Sequence, residues 1–203
     1  MHAHAPLIRV THWIATLCFF ALLLSGVEIL ISHPRFYWGE EGNVNTPALF
    51  QIPIPASRAS VPTGYGYVLK DQNGWSRSLH FQTAWAIVLT GTLYVISGLR
   101  TRHFRNQAAT YNPLQHRTYL GVIFLLFPLL IWSGLAMSPA FTAAFPFTVD
   151  LLGGQQSART IHFFATVILV LFFFVHLAKV CTTGFRAHMR AMTIGSANPK
   201  EHA

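Results

Sequence analysis

A chain of 203 residues that is 52% hydrophobic and 10% charged lies outside the soluble globular range, in which about 25% of residues carry charge. Its formal charge of +8 raises nucleic acid as a partner, but the basic residues sit at the ends of apolar runs rather than in one stripe, which argues for membrane topology instead. Two cysteines, Cys18 and Cys181, are too few for a disulfide framework or for the four thiolates of an iron-sulfur cluster, and they read as packing residues.

Four apolar runs, 13–31, 81–99, 119–137 and 161–180, have the length needed to cross about 30 Å of hydrocarbon. They predict an all-α integral membrane four-helix bundle, a single domain over 1–203. The first helix opens with Arg9-Val10-Thr11-His12-Trp13 and closes at Ser25-Gly26; Met1-His2-Ala3-His4 before it lacks a basic leader, so the helix is expected to be retained as a span. The stretch 33–78 is dense in proline and glycine and predicts a long irregular loop. Its Trp38, Phe50, Tyr65, Tyr67 and Trp75 favour an ordered cap or docking surface.

The second helix begins Arg77-Ser78-Leu79-His80, reaches Ser97-Gly98 and exits into Arg100, Arg102 and Arg105. A polar turn over 111–117 leads to the third helix, where Pro128 predicts a kink before Ser133-Gly134. The recurring Ser-Gly pairs read as a helix-packing habit. The fourth helix carries His162 and His176 and continues into a basic tail, 182–203. Lys and Arg are concentrated on the side holding the N-terminus, the 100–117 connection and the tail, so the positive-inside rule predicts cytoplasmic termini and an extracytoplasmic 33–78 loop.

Ionisable side chains inside a bilayer are costly enough to be functional by default. His162 and His176 are fourteen residues apart, which on a helix means about 21 Å of separation and about 40° of rotation. They look the same way at opposite depths. Given the topology, His12 lies level with His176 on the inner side and His80 level with His162 on the outer side. Two imidazoles at one depth fit the axial positions of a haem iron, which predicts two bis-histidine haems whose work is electron transfer.

Each histidine has a basic residue three positions nearer its membrane surface: Arg9, Arg77, Arg159 and Lys179. That spacing is one helical turn outward, where haem propionates would meet water and charge-assisted hydrogen bonds; plain snorkelling is the alternative. Gly26 and Gly98 fall near the face of His12 and His80 at the other depth, where a missing side chain would let the second macrocycle approach the backbone, or would simply ease helix contact.

With Arg9-Val10-Thr11-His12-Trp13, His80 opening helix two, and His162 with His176 on helix four, the chain resembles the di-haem cytochrome b subunits of formate dehydrogenase, nickel-iron hydrogenase and thiosulfate reductase, grouped with bacterial cytochrome b561. The resemblance implies two haem b groups, and a quinone as exchangeable substrate near the inner haem. It also extends to Tyr111-Asn112-Pro113-Leu114-Gln115-His116-Arg117-Thr118-Tyr119, and by that likeness Asn112 and Gln115 bind the quinone, with His116, Arg117 and Tyr119 as further candidates.

The function expected is an electron-transfer subunit of a quinone-linked respiratory oxidoreductase in the bacterial inner membrane. No flavin, molybdenum or iron-sulfur motif is present, so the primary chemistry belongs to a partner on the outer face, by resemblance a molybdenum-containing or hydrogenase-type enzyme. The 33–78 loop departs from the family and leaves that partner open. The main alternative is a stand-alone cytochrome b561-like superoxide:quinone oxidoreductase, which would need cations at the outer haem. A haem-free anchor or transporter is a third.

Overall fold

The computed structural model describes residues 5–43, 45–53, 73–107 and 112–195. In chain order these form α1 (Pro6–Ser32), a two-stranded antiparallel ribbon of β1 (Arg35–Phe36) and β2 (Phe50–Gln51), α2 (Asn73–Arg100), and the short α3 (His103–Gln107). Then come α4 (Pro113–Gly121), a π-helical turn at Val122–Leu126, α5 (Phe127–Ala136), α6 (Pro139–Ala144), α7 (Phe147–Asp150), α8 (Gln155–Thr182) and α9 (Phe185–Thr193).

Four helical stretches are long and apolar enough to cross a membrane: Pro6–Ser32, Gly74–Arg100, Pro113–Ala136 and Gln155–Thr182. The expected four-helix membrane fold is therefore present, with each span longer than its apolar run because polar residues continue the helix beyond the hydrocarbon. At the loop end this moves the start of α2 back to Asn73, so the last residues of the 33–78 stretch are helical. Its middle, 54–72 with Tyr65 and Tyr67, lies outside the described residues.

Pro6 and Pro113 each begin a helix, where the missing N–H costs nothing. Pro128 sits inside the third span instead. Having no N–H for the preceding turn, it follows a π turn in which the Phe127 N–H reaches the Val122 carbonyl. The irregularity lies just before the proline.

Packing divides the bundle into two helical hairpins, α1 against α2 and α5 against α8. Among the described residues α8 makes no extended backbone contact with α1 or α2, and the interval between the hairpins is bridged by side chains. The largest wholly buried side chains described are Thr160, Ser25, Ser76, Ser133 and Ser157, and an apolar cluster of Ala136, Val149, Leu152 and Ala158 closes the loop end.

The residues after α1 clamp the start of α8. Gly39 O accepts from the Gln156 and Ser157 N–H groups at 3.0 and 3.2 Å, and the Glu40 carboxylate accepts from Gln155 N–H at 3.0 Å. Those donors are the ones a helix N-terminus leaves without internal partners, and a carboxylate there also suits the helix dipole. Thr160 Oγ1 donates to the Tyr37 carbonyl at 2.7 Å, and Gly39 N–H to Ser157 Oγ at 2.7 Å. Gly154 makes the close approach possible: its φ is +110°, and a Cβ would fall 2.4 Å from the Gly39 carbonyl atoms.

Candidate metal centres

The interval between the hairpins holds two histidine pairs. On the loop side, His80 of α2 faces His162 of α8 with ring centres 6.2 Å apart. On the terminus side, His12 of α1 faces His176 of α8 at 6.4 Å. Two imidazoles bound to opposite faces of one metal, at about 2.0 Å per bond and with about 1.2 Å from nitrogen to ring centre, span about 6.4 Å. Both pairs match that span. Among the described residues no three His, Cys, Asp or Glu side chains converge as a protein-only metal site would require. Two opposed imidazoles therefore suit a metal whose remaining positions are filled by a macrocycle.

The loop-side pair is oriented by a repeated device. Ser25 Oγ donates its single proton to the Ala21 carbonyl at 2.7 Å and lies 3.0 Å from His80 Nδ1, so the histidine must be the donor in that contact. Ser133 Oγ donates to Leu129 O at 2.7 Å and lies 3.0 Å from His162 Nδ1. In each case the carbonyl three residues before the serine, Leu22 or Leu130, is a second acceptor for the ring. With Nδ1 protonated, Nε2 of both rings keeps its lone pair for a metal. The glycine after each serine lies beside the ring: a Cβ on Gly26 would stand 3.6 Å from His80 Cε1, and one on Gly134 3.5 Å from His162 Cε1, both ordinary contacts.

The terminus-side pair is held by aromatic rings. Trp13 meets His12 edge-on at 5.5 Å, and Phe172 stacks on His176 at 6.1 Å. Between the two levels Phe19 of α1 stacks on Phe173 of α8 at 4.8 Å, on the same helix faces as the histidines.

A model of the prokaryotic cytochrome b561 family matches residues 3–195. The chain belongs to that family. It is a multi-pass membrane haem protein of the electron-transport kind, and b-type haem is the group the family implies. This cytochrome is also similar to a protein of Azospira oryzae described as a putative protein-methionine-sulfoxide reductase subunit, YedZ1, with 26% identity over 202 residues covering 87% of this chain and 89% of that one. No solved structure matches.

The basic residues near the histidines of the cytochrome fall into two groups. Arg159 donates through Nη2 to the carbonyls of His33 (2.7 Å) and Arg35, and lies over the Phe36 ring; Arg9 Nη1 donates to Thr193 O at 2.8 Å. Both guanidinium groups thus tie distant segments to a span. Arg77 and Lys179 are exposed. Gly98 faces the Phe104 ring, which lies only 2.6 Å from where its Cβ would be.

The expected quinone residues lie at the start of the third span, where they are mostly exposed. Asn112 caps α4 by accepting the Leu114 N–H at 3.0 Å, His116 Nε2 is 2.8 Å from the Phe104 carbonyl, and Tyr119 packs toward Phe104 at 6.4 Å. Gln115 and Arg117 are exposed beside them, and Tyr111 lies outside the described residues. Sequence reasoning missed Ser25 and Ser133. Their signal was present in the Ser-Gly repeat, but the acceptor role appears only when the neighbouring helix brings its histidine alongside.

Proposed function

We propose that this cytochrome carries electrons across a bacterial inner membrane through two haem b groups, one held by His80 and His162 and the other by His12 and His176. The observation that carries the proposal is the occurrence, at both ends of α8, of an imidazole pair with the span of axial ligands. Bound there, each haem supplies a one-electron carrier without an open iron position for substrate. The chain's own residues do the rest. The serine contacts present Nε2 of His80 and His162, the aromatic contacts orient His12 and His176, and exposed Arg77 and Lys179 are the cations best placed to meet propionates at the two surfaces. Arg9 and Arg159 brace the same two ends.

By the Lys/Arg bias both termini face the cytoplasm and the clamped loop faces outward. Asn112, Gln115, His116, Arg117 and Tyr119 then lie on the cytoplasmic side as the quinone site, where oxidation of one quinol releases two electrons and two protons. The outer partner is an oxidoreductase that has the primary chemistry. The Azospira relative's description as a reductase subunit favours electron flow outward, to a partner of the methionine-sulfoxide reductase kind. The stand-alone superoxide alternative is less well supported, because Arg159 at the outer mouth is engaged by loop carbonyls and Glu40 lies at the start of α8.

The test uses purified protein and a soluble quinol analogue. Quinol is expected to reduce b-type haem, and Gln115→Ala to slow that reduction with haem content unchanged. Reduction by superoxide but not by quinol would overturn the proposal, and unchanged kinetics in Gln115→Ala would move the quinone site elsewhere.

A further inference from the structure

The face of α1 turned away from the haem side carries a feature that electron transfer does not use. Val10, Ile14 and Leu17 lie about 140–160° around the helix from His12, and are 56%, 40% and 71% exposed. With Arg9, Trp13 and Met192 they line a crevice between α1 and the end of α9. The crevice runs from a cationic rim at the membrane surface to an apolar wall facing the bilayer.

The rim is built by contacts between the two helices. Trp13 Nε1 donates to the Met192 carbonyl at 3.0 Å and Arg9 Nη1 to Thr193 O at 2.8 Å, so the C-terminal carbonyls of α9 are capped by side chains of α1. These contacts leave Arg9 Nε buried with no hydrogen-bond partner, and Arg190, one turn earlier on α9, has a buried Nε in the same condition. A buried charged donor without an acceptor is costly, and among the described residues no acidic side chain lines the crevice. Arg9 is only half-buried, so its guanidinium charge reaches the rim, and a ligand that compensates it is anionic there and apolar below. A neutral quinone head offers an acceptor but leaves the charge uncompensated.

We infer that the α1–α9 crevice binds an anionic phospholipid, its phosphate on Arg9 and an acyl chain along Val10, Ile14 and Leu17. The bound lipid joins α9 to the helix that carries His12. The apolar wall of the site stands on the opposite face of α1 from His12.

Native mass spectrometry of the detergent-purified full chain tests this, with phosphatidylglycerol, phosphatidylcholine or a long-chain quinone added back after delipidation. The wild type is expected to retain phosphatidylglycerol in preference to phosphatidylcholine. Arg9→Gln should lose that preference and Arg9→Lys restore it, while Val10→Trp, which fills the crevice and keeps the cation, should lose lipid retention. Equal retention of both lipids by the wild type, unchanged retention in Arg9→Gln and Val10→Trp, or quinone held in place of lipid would each overturn the inference.

Discussion

The two histidine pairs have almost the same ring separation, 6.2 Å on the loop side and 6.4 Å on the terminus side, yet they are held by different physics. The loop-side rings are fixed by hydrogen bonds that they donate to serines inside the bundle, under a clamp that caps α8. The terminus-side rings are fixed by packing against Trp13 and Phe172, and His176 is exposed. Hydrogen bonds at Nδ1 set the tautomer of a ring as well as its position. Nδ1 of each loop-side ring is therefore held by a serine, whereas on the terminus side Trp13, which meets His12, is itself tied to α9.

The largest effect is expected from removing one ring of either pair. His162→Ala should abolish the loop-side haem and spare the other, and His176→Ala should do the reverse, as read by haem content and reduced spectra of the purified variants. Equal loss of both haems from each variant would erase the distinction between the pairs. Next in size are the serines. Ser25→Ala or Ser133→Ala should weaken loop-side haem retention by about 10–100-fold, the usual effect of losing an outer hydrogen bond to a metal-binding histidine. Neither should change the terminus-side haem. Gly26→Ala is the control, because its Cβ would make only ordinary contact with His80 at 3.6 Å.

The sequence made the spans and the depth matching legible because both follow from composition and helical periodicity along one segment. His12, His80, His162 and His176 were conspicuous as ionisable groups in apolar runs, and helix four's fourteen-residue spacing placed two of them on one face. What stayed hidden was tertiary. Ser25 and Ser133 look like any small residue in a membrane helix until a second helix lays an imidazole against them. The clamp joins Gly39 to Ser157 across 118 positions, and local pattern cannot encode such a contact. The tail after 182 read as basic, and it holds α9, whose docking rests on Trp13 and Arg9 far earlier in the chain.

Two smaller changes probe the comparison further. Gly154→Ala forces a side chain into a positive φ and against the Gly39 carbonyl. The backbone strain alone should cost about 1–3 kcal/mol, seen as a lowered melting temperature with the loop-side haem released first. Trp13→Phe keeps the ring beside His12 but removes the indole N–H held by Met192 O. It should cost about 0.5–1.5 kcal/mol, seen as faster release of the terminus-side haem in detergent, with the loop-side haem unaffected.

The most direct measurement is the number and spin state of haems in the purified wild-type chain, from a haem-to-protein ratio together with electron paramagnetic resonance of the oxidised form. The account predicts two haem b per chain, both low-spin with two axial imidazoles. One haem per chain, or a high-spin iron with an open axial position, would contradict it.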